Sequence, residues 1–490
     1  MRYAKHSHIN FAAVLRVIGM LLTIEAFFML APLVTCLAYG EDDVKAFGIT
    51  VAITVATGSA LAFGLRPSNP DMGKRDGFLL TALVWVFFSL FGMLPFMIGG
   101  ANMSLSDAFF EAMSGFTTTG ATVIRSVDEL SHGTVLWRSL MQWLGGMGII
   151  LFTLAVIPML NHSGGMQMFN AEVTGITHDK LRPRISQTAK GLWGIYCVLT
   201  VALTLLLWAG PMDFYTALCY TFSTISTGGF TTTDAGITEY GTLYVKVVLT
   251  VFMFLGGVSF SLMFRWWNGD HGSLWRNDVF RAYVRIILIC LVLFIISIFA
   301  MGAYTDVQSV SIDPLFQIIS TLTTTGFMVE GARNWGPFVI SILFVMMFFG
   351  SCAGSTSGGA KIDRMLFLIK NANNEVYRCV HPNTILGVRI NGVTASYDTV
   401  NKVIAFLCIY MMLIVGGGIA LTALDIPIVD AFFSSFACLS NTGLDVNITG
   451  YGDNYLALPD AGKWVLSLEM LIGRLEIFTV LLLFTRGFWK

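Results

Sequence analysis

Charged residues are scarce in this chain of 490 residues, and their scarcity excludes a soluble protein. Asp, Glu, Lys and Arg together make up 12% of the sequence, whereas 55% is hydrophobic, and the mean hydropathy is +0.72. A typical soluble domain carries about 25% charged residues. Uncharged runs long enough to cross a bilayer, at about 20 residues each, occupy residues 46–65, 77–106, 191–210, 286–305 and 403–424. The sequence therefore predicts a polytopic membrane protein.

The sequence also lacks the motifs of several kinds of catalytic and binding site. Its eight cysteines include no CxxC pair, so neither a disulfide framework nor a zinc site is indicated. The seven histidines form no HExxH and lie outside the predicted spans or near their ends, which argues against a membrane-embedded enzyme. No Walker A motif, no strand-borne GxGxxG and no basic stretch with interleaved aromatic residues is present. We therefore expect no enzyme activity, no organic cofactor and no nucleic-acid partner.

One eight-residue sequence pattern, called the phrase below, occurs four times. Its copies match one another to different extents, and each contains a glycine at the same place near its end. The copies are SGFTTTGA at 114–121, STISTGGF at 223–230, STLTTTGF at 320–327 and ACLSNTGL at 437–444. Their fixed glycines, called the filter glycines below, are Gly120, Gly229, Gly326 and Gly443. The intervals are 229 − 120 = 109, 326 − 229 = 97 and 443 − 326 = 117 residues, which suits two membrane helices with a hairpin between them. Four such units predict fourfold pseudo-symmetry around a shared axis.

We predict an all-α polytopic membrane protein in which four pseudo-symmetric helix–pore loop–helix repeats surround one pore, preceded by a leading helix pair at 11–37 and 46–65. Each repeat consists of a first helix, a short re-entrant pore helix, a filter loop and a second helix. In that order, the predicted segments are 78–97, 107–116, 117–120 and 136–160 in the first repeat, and 192–209, 214–225, 226–229 and 243–264 in the second. They are 284–301, 313–322, 323–326 and 338–349 in the third repeat, and 403–424, 430–439, 440–443 and 464–484 in the fourth. This arrangement has about ten transmembrane helices and four half-helices. The leading pair is assigned to residues 1–75 and the repeats to 76–165, 166–270, 271–375 and 376–490.

Lys and Arg are concentrated in alternate connections between the predicted helices. The rich connections carry Arg66, Lys74, Arg75, Lys180, Arg182, Arg184, Lys190, Arg265, Arg276, Arg281, Arg285, Lys361, Arg364, Lys370, Arg378, Arg389 and Lys402. The other connections hold chiefly Arg125 and Arg333, beside Asp128, Glu129 and Glu330. By the positive-inside rule the rich set is cytoplasmic. Both termini are then expected inside, and the four filter loops enter the membrane from outside.

Each pore helix is predicted to begin at a capping residue 13 positions before its filter glycine. The residues at that place are Asp107, Thr216, Asp313 and Asp430, and Asp213 lies three residues before Thr216. Asp and Thr are favourable N-caps. Helices that start there direct their C-terminal ends at the filter, and the negative end of the helix dipole favours a cation.

The filter loops themselves have the composition of a cation path. Non-helical backbone at membrane depth leaves N–H and C=O groups unpaired, so it occurs where it lines an aqueous path or is buried in protein. Gly permits the backbone conformations of such a loop, and Thr can add a hydroxyl oxygen to the lining. Neutral oxygens suit a desolvated monovalent cation, because a divalent ion would favour carboxylates. The candidate ion-binding residues are Thr118, Thr119, Gly120, Thr227, Gly228, Gly229, Thr324, Thr325, Gly326, Asn441, Thr442 and Gly443.

On these four phrases, the chain resembles the Trk/Ktr/HKT superfamily of potassium transporters, and within it the bacterial membrane subunits of the TrkH type. The resemblance covers the whole chain, including the leading pair that the shorter Ktr-type subunits lack. It implies that the filter glycines form a selectivity filter, and that glycine at all four places goes with K+ rather than Na+. It further implies a homodimer in the lipid of the bacterial inner membrane that binds a cytosolic nucleotide-binding ring of the TrkA type. The fourth phrase departs from the family, because Ser440, Asn441 and Thr442 replace a Thr run.

The second helices carry a glycine at a similar distance after each filter, and in the third repeat that glycine opens a run of small residues. The run, residues 350–359, reads GSCAGSTSGG and is unsuited to a stable helix. Close helix packing would explain it, but its expected place just below the filter favours a mobile plug, and the resemblance implies an intramembrane gating loop here. Its candidate gate residues are Gly350, Ser351, Gly354, Ser355, Gly358 and Gly359.

Arg474 completes the candidate gate. It is predicted at the middle of the 464–484 helix, where an unpaired arginine costs at least about 2.5 kcal/mol. Glu469 and Glu476 face other sides of that helix, so the partner of Arg474 is on another segment or is pore water. We expect a contact with the 350–359 loop that raises the barrier to a cation, and a fixed structural ion pair is the alternative.

The sequence predicts a potassium-uptake pore and leaves its energetics open. A channel and a symporter coupled to H+ or Na+ would use the same filter oxygens. A membrane-embedded enzyme is the rival from another class of protein, and it would need a catalytic cluster that the predicted spans lack.

Overall fold

The structure of the protein, a computed structural model, describes residues 9–67, 72–156, 185–302, 307–329, 335–444 and 455–489. Helices dominate these ranges, whose one sheet is a hairpin that pairs Arg389–Ile390 with Val393–Thr394 antiparallel. The predictions made for residues 157–160, Lys180, Arg182, Arg184, Glu330 and Arg333 lie outside the described residues.

The leading pair forms as predicted, because its apolar runs are long and contain glycines where the helices cross. Phe11–Phe28 continues as Leu30–Tyr39, and Val44–Gly64 packs against them. A Cβ atom on Gly19 would lie 2.6 Å from the Gly58 carbonyl oxygen, and one on Gly58 would lie 2.9 Å from the Gly19 carbonyl oxygen. Small residues at the crossing therefore bring the two backbones into direct contact, as is common between membrane helices.

Each of the four repeats contributes a first helix and a pore helix. The first helices are Lys74–Gly92 with its extension Leu94–Ile98, Ile185–Trp208, Asp278–Met301 and Tyr397–Thr422. The pore helices are Leu105–Phe116, Phe214–Ile225, Val307–Leu322 and Ile428–Leu439. All four pore helices end at the predicted residue, directly before the filter loop. The helical architecture with four pore loops is therefore confirmed.

The predicted starts are wrong for three of the four pore helices. The first and fourth are capped three residues earlier than predicted, at Ser104 and Pro427, and the third begins 313 − 307 = 6 residues before Asp313. The second begins at Phe214, as predicted. Ser104 caps the first pore helix, where its Oγ accepts a hydrogen bond from Asp107 N at 3.2 Å, and Asp213 caps the second. Asp107 and Asp430 instead lie in the first turn of their helices, and the third helix begins at Val307, before Asp313. A carboxylate inside the first turn still favours the helix dipole, which is why the pattern resembled a cap.

The second helices are less regular than predicted. The first repeat has one continuous helix, His132–Val156, and the second has Leu243–Gly256 followed by Phe260–Trp267. In the third repeat Gly336–Phe349 is followed, after the 350–359 loop, by Ile362–Val380. In the fourth, Asp460–Arg474 is followed by Phe478–Leu481. The predicted continuous helices at 243–264 and 464–484 are therefore wrong. The break in repeat 2 bends the chain by 98°. Within the described ranges six helices are long and apolar enough to cross a membrane, or seven if the bent pair is counted as one span.

Short helices complete the described chain. They are the α-helices Ser273–Arg276 and Arg486–Trp489 and the 3-10 helices Gly236–Tyr240, Tyr455–Ala457 and Leu482–Phe484.

Candidate functional site: a ring of four filter loops above a buried loop

The four filter loops share one unusual backbone shape. The filter glycines have φ of +83°, +81°, +85° and +58°, and the residues two positions earlier are also left-handed. Those residues are Thr118 at +53°, Thr227 at +55°, Thr324 at +56° and Asn441 at +52°. A left-handed residue with a side chain costs about 1–2 kcal/mol, so its recurrence at one place in four copies indicates a functional constraint. Alternation of φ sign along a chain turns successive peptide planes so that their carbonyls can face the same side.

The loops close into a ring in chain order. A Cβ atom built on any filter glycine would collide with the carbonyl oxygen of the residue before the filter glycine of the next repeat. The distances are 2.1 Å from Gly120 to Gly228 O, 1.9 Å from Gly229 to Thr325 O, 2.3 Å from Gly326 to Thr442 O and 2.2 Å from Gly443 to Thr119 O. The fourth contact returns to the first loop, so the four loops surround one axis. Only glycine fits at these four places.

Hydrogen bonds between neighbouring hydroxyl groups stiffen three of the four loops. Thr119, Thr325 and Thr442 each pair their hydroxyl with the hydroxyl two residues earlier, at 2.8 Å in every case. The filter side chains at Thr118, Thr227 and Thr324 are at most 1% exposed. The Thr118 hydroxyl has no hydrogen-bond partner among the described residues. The loops thus contain neutral carbonyl and hydroxyl oxygens, and no carboxylate, at the C-terminal ends of four pore helices.

Asn441, the departure in the fourth phrase, joins the fourth loop to the first. Its Nδ2 donates to Thr119 Oγ1 at 3.0 Å and to the Met470 carbonyl at 2.9 Å. The amide therefore reaches two acceptors that one Thr hydroxyl, with its single proton, could not serve together.

A buried ion pair that the sequence did not predict links the first pore helix to the second helix of the first repeat. Arg138 Nε donates to Glu111 Oε1 at 2.9 Å, and both side chains are at most 1% exposed. Glu111 also accepts from Val123 N at 3.0 Å, and in repeat 3 Gln317 accepts from Val329 N at 3.2 Å. Both acceptors lie nine residues before a filter glycine (120 − 111 = 9, 326 − 317 = 9). That shared spacing is the signal by which the sequence could have identified them.

The 350–359 loop lies directly against the filter ring. Gly358 N donates to Thr324 Oγ1 at 2.6 Å, and Gly359 N donates to the Ser440 carbonyl at 2.9 Å. Thr356 Oγ1 donates to the Ile225 carbonyl, at the end of the second pore helix, at 3.1 Å. The loop therefore contacts the second, third and fourth repeats at once.

The other candidate gate residues shape the same loop. Gly350, Gly354 and Gly359 have φ of +61°, +76° and +74°. The Gly354 carbonyl accepts from Phe260 N at 3.0 Å. Ser351 shares hydrogen bonds with Ser355, at 3.3 Å, and with Ser357. These contacts fold the small residues into a compact turn rather than a helix.

Arg474 is the last residue of its helix, not the middle one as predicted, because the chain turns sharply after it. Glu476 and Ile477 both have positive φ. Arg474 Nη1 donates to the Thr356 carbonyl at 2.9 Å, and Nη2 donates to the Gly145 carbonyl at 2.7 Å. The guanidinium thus connects the 350–359 loop to the second helix of the first repeat.

The two acids near Arg474 in sequence are occupied elsewhere. Glu476 pairs with Arg364, whose guanidinium also lies 3.9 Å from the centre of the Phe406 ring. Glu469 accepts from Ser435 Oγ at 2.8 Å. The Arg364–Glu476 pair fastens the end of the 350–359 loop to the turn that follows Arg474.

Comparison with known proteins places this arrangement in a family. A family profile named TrkH and described as cation transport protein matches residues 43–488. The Trk system potassium uptake protein TrkH of Escherichia coli K12 is 35% identical over 484 residues, which covers 98% of this chain and 100% of that protein. TrkG of the same organism is 31% identical over 490 residues, covering 99% of each chain.

A solved structure agrees with this assignment. The crystal structure of the potassium transporter TrkH from Vibrio parahaemolyticus has a TM-score of 0.89 and 33% identity, and the match covers 98% of this chain and 100% of that one. These relatives are named as transporters rather than enzymes. The chain therefore belongs to the TrkH family of cation transport proteins.

Proposed function

We propose that this chain is the ion-translocating membrane subunit of a potassium-uptake system, in which K+ passes through the ring of four filter loops. The observation that carries the proposal is the closure of the ring. Each filter glycine contacts a carbonyl of the next loop, and the fourth loop contacts the first. No other part of the described chain brings four copies of one strained loop to a common axis.

The chemistry of the ring favours a monovalent cation. An ion that enters must exchange its water for protein oxygens, and the loops supply carbonyls and Thr hydroxyls of fixed geometry. The pore helices point the negative ends of their dipoles at the same place. No carboxylate lies within the four loops, which disfavours a divalent ion. The names of the relatives, which are potassium uptake proteins, favour K+ among the monovalent ions.

We propose that the 350–359 loop is the gate. It is held against the ring by Thr324 and Ser440, and Arg474 places a positive charge beneath the filter. A cation leaving the ring would meet both the loop and that charge. Opening would require the Arg474 hydrogen bonds to break and the loop to move away.

The regulation and setting of the pore follow from the same proposal. We place the chain in the bacterial inner membrane, with cytoplasmic termini, and expect it to form a homodimer. Each chain would comprise five segments, the leading pair and the four repeats. A cytosolic TrkA-like nucleotide-binding subunit would dock on the basic inner surface and release the loop. Lys370, Arg378 and Arg389 belong to that surface and are partly exposed.

Flux into liposomes that hold only the purified chain tests the proposal. K+, Rb+, Na+ and Li+ would be compared with and without a pH gradient. Passive K+ and Rb+ flux that excludes Na+ supports the proposed filter, whereas flux that requires a proton or Na+ gradient would make the protein a symporter. Equal flux of K+, Na+ and Li+ would contradict the proposed selectivity.

A further inference from the structure

The second filter loop lacks a side chain that the other three possess. Thr119, Thr325 and Thr442 stand directly before their filter glycines, but repeat 2 has Gly228 at that place. The hydroxyl pair that stiffens the other loops cannot form there. Two consecutive glycines, Gly228 and Gly229, would leave this part of the ring with the greatest backbone freedom.

Gln142, from the second helix of repeat 1, occupies the missing volume. A Cβ atom on Gly228 would lie 2.4 Å from Gln142 Cδ, and 2.7 Å from each of its Nε2 and Oε1 atoms. The Gln142 side chain is fully buried. It therefore stands where a Thr side chain of the loop itself would otherwise be.

The amide of Gln142 holds the second loop on both sides of its filter glycine. Nε2 donates to the Gly228 carbonyl at 2.8 Å, and Phe230 N donates to Oε1 at 3.2 Å. The orientation of the amide is fixed, because the Phe230 N–H can only donate and so must face the oxygen. Gly228 O is the ring carbonyl that contacts Gly120. One of its two lone pairs is thus taken by Gln142, and the other stays available to an ion.

The residues at the place of Gln142 in the other second helices indicate that Gln142 and Gly228 are matched to each other. Gln142 is three residues before Gly145, and the residues three before Gly256, Gly350 and Gly473 are all methionine: Met253, Met347 and Met470. All three methionines are at most 1% exposed. The polar residue therefore occurs in one repeat of four, the one whose helix faces the loop without a Thr.

We propose that Gln142 is a positioning residue for the ion, which replaces in trans the Thr side chain that Gly228 lacks and so sets the K+ selectivity of the ring. This inference rests on the proposed function. It predicts that Gln142 and Gly228 act as a unit, so that substitutions at the two places compensate each other.

The test is a double-variant cycle in liposomes, read as the K+/Na+ flux ratio and as the K+ concentration at half-maximal flux. Gln142→Met is expected to lower the ratio about tenfold, equivalent to about 1.4 kcal/mol, and to raise the half-saturating K+ concentration. Gly228→Thr alone is expected to be worse, since its side chain meets Gln142. The double variant Gln142→Met/Gly228→Thr restores the Met and Thr combination of the other repeats and should recover a ratio within about threefold of the natural protein.

Each outcome decides the matter. A Gln142→Met protein with a ratio within twofold of the natural one would overturn the inference, as would a double variant no better than the worse single variant. If Gln142→Met does not fold, recovery of a folded, selective double variant still supports the pairing, and its failure contradicts it. Gly326→Ala separates the two proposals. If the Gly326→Ala protein keeps the K+/Na+ selectivity, the proposed filter is refuted. If Gly326→Ala loses the selectivity but Gln142→Met keeps it, the filter stands and the role proposed for Gln142 is refuted.

Discussion

A methyl group added to a filter glycine should break the ring, and Gly229→Ala is the sharpest case. The new Cβ would lie 1.9 Å from the Thr325 carbonyl oxygen, whereas real Cβ contacts essentially never fall below 3.0 Å. The second and third loops must therefore separate by more than 3.0 − 1.9 = 1.1 Å. A binding site of this kind tolerates a displacement of about 0.5 Å. The alanine would also have to adopt φ near +81°, at a cost of about 1–2 kcal/mol.

The chain offers a matched control for the backbone strain. Gly40 has φ of +72°, and nothing lies within 4 Å of a Cβ built on it. Gly40→Ala therefore imposes a similar strain without intruding on a neighbour. We expect Gly229→Ala to lower K+ flux at least about tenfold and to abolish the preference over Na+, whereas Gly40→Ala retains both. The assay is Rb+ and Na+ flux into liposomes, with folding checked by monodisperse elution in detergent. A folded Gly229→Ala protein with natural flux and selectivity would refute the ring.

Three further predictions concern the proposed gate, the first repeat and the connection between the leading helices. Arg474→Ala removes two charged hydrogen bonds from the closed loop and should raise K+ leak from liposomes holding the chain alone at least about tenfold; an unchanged leak would remove Arg474 from the gate. Glu111→Ala removes the acidic partner of the buried Arg138 and should cost about 3–5 kcal/mol of stability, measured by thermal melting. Glu111→Gln, which copies Gln317, should cost less. Equal losses in the two variants would contradict the role of Glu111 as a hydrogen-bond acceptor shared with Gln317. Burial raises the pKa of Glu41, but hydrogen bonds from His132 outweigh it and hold the pKa below its ordinary value of 4.5. Glu41 therefore stabilises the fold above that pH and ceases to do so as pH falls through its lowered pKa. The loss of melting temperature in Glu41→Gln should be largest near pH 7 and shrink as pH falls below 4.5; a pH-independent difference would contradict this.

The sequence predicted the ends of the pore helices because a repeated phrase marks them. Four copies of one pattern, each with a glycine next to its last residue, mark where helix gives way to loop. The starts of the first, third and fourth pore helices were wrong, because an acidic residue in the first turn and one at the cap both favour the helix dipole. Asp107 therefore looked like a cap although Ser104 performs that role.

The breaks in the second helices escaped prediction because hydropathy continues through them. The breaks at 257–259 (Gly, Val, Ser) and 475–477 (Leu, Glu, Ile) interrupt otherwise apolar stretches without a proline. The chain nevertheless bends by 98° at the first break and adopts positive φ at Glu476 and Ile477 in the second. Contacts to other repeats determine these conformations, as tertiary packing overrides local propensity.

Gln142 and Glu111 were missed for a related reason. Neither residue belongs to the repeated phrase, and the partners of each lie on other segments of the chain. The role of Gln142 becomes visible only when the loops and helices are brought together, whereas Glu111 could have been found by the spacing that it shares with Gln317. The candidate filter residues could be identified from sequence because the chemistry there is repeated four times.

The most direct test of the central claim is to locate the ion. Crystals of the protein grown in rubidium salt would be measured by anomalous scattering, which distinguishes Rb+ from water. If K+ passes through the ring, we expect a peak on its axis, between the carbonyl oxygens of Thr119, Gly228, Thr325 and Thr442. A protein that carries Rb+ but whose peaks all lie away from these four oxygens would contradict it.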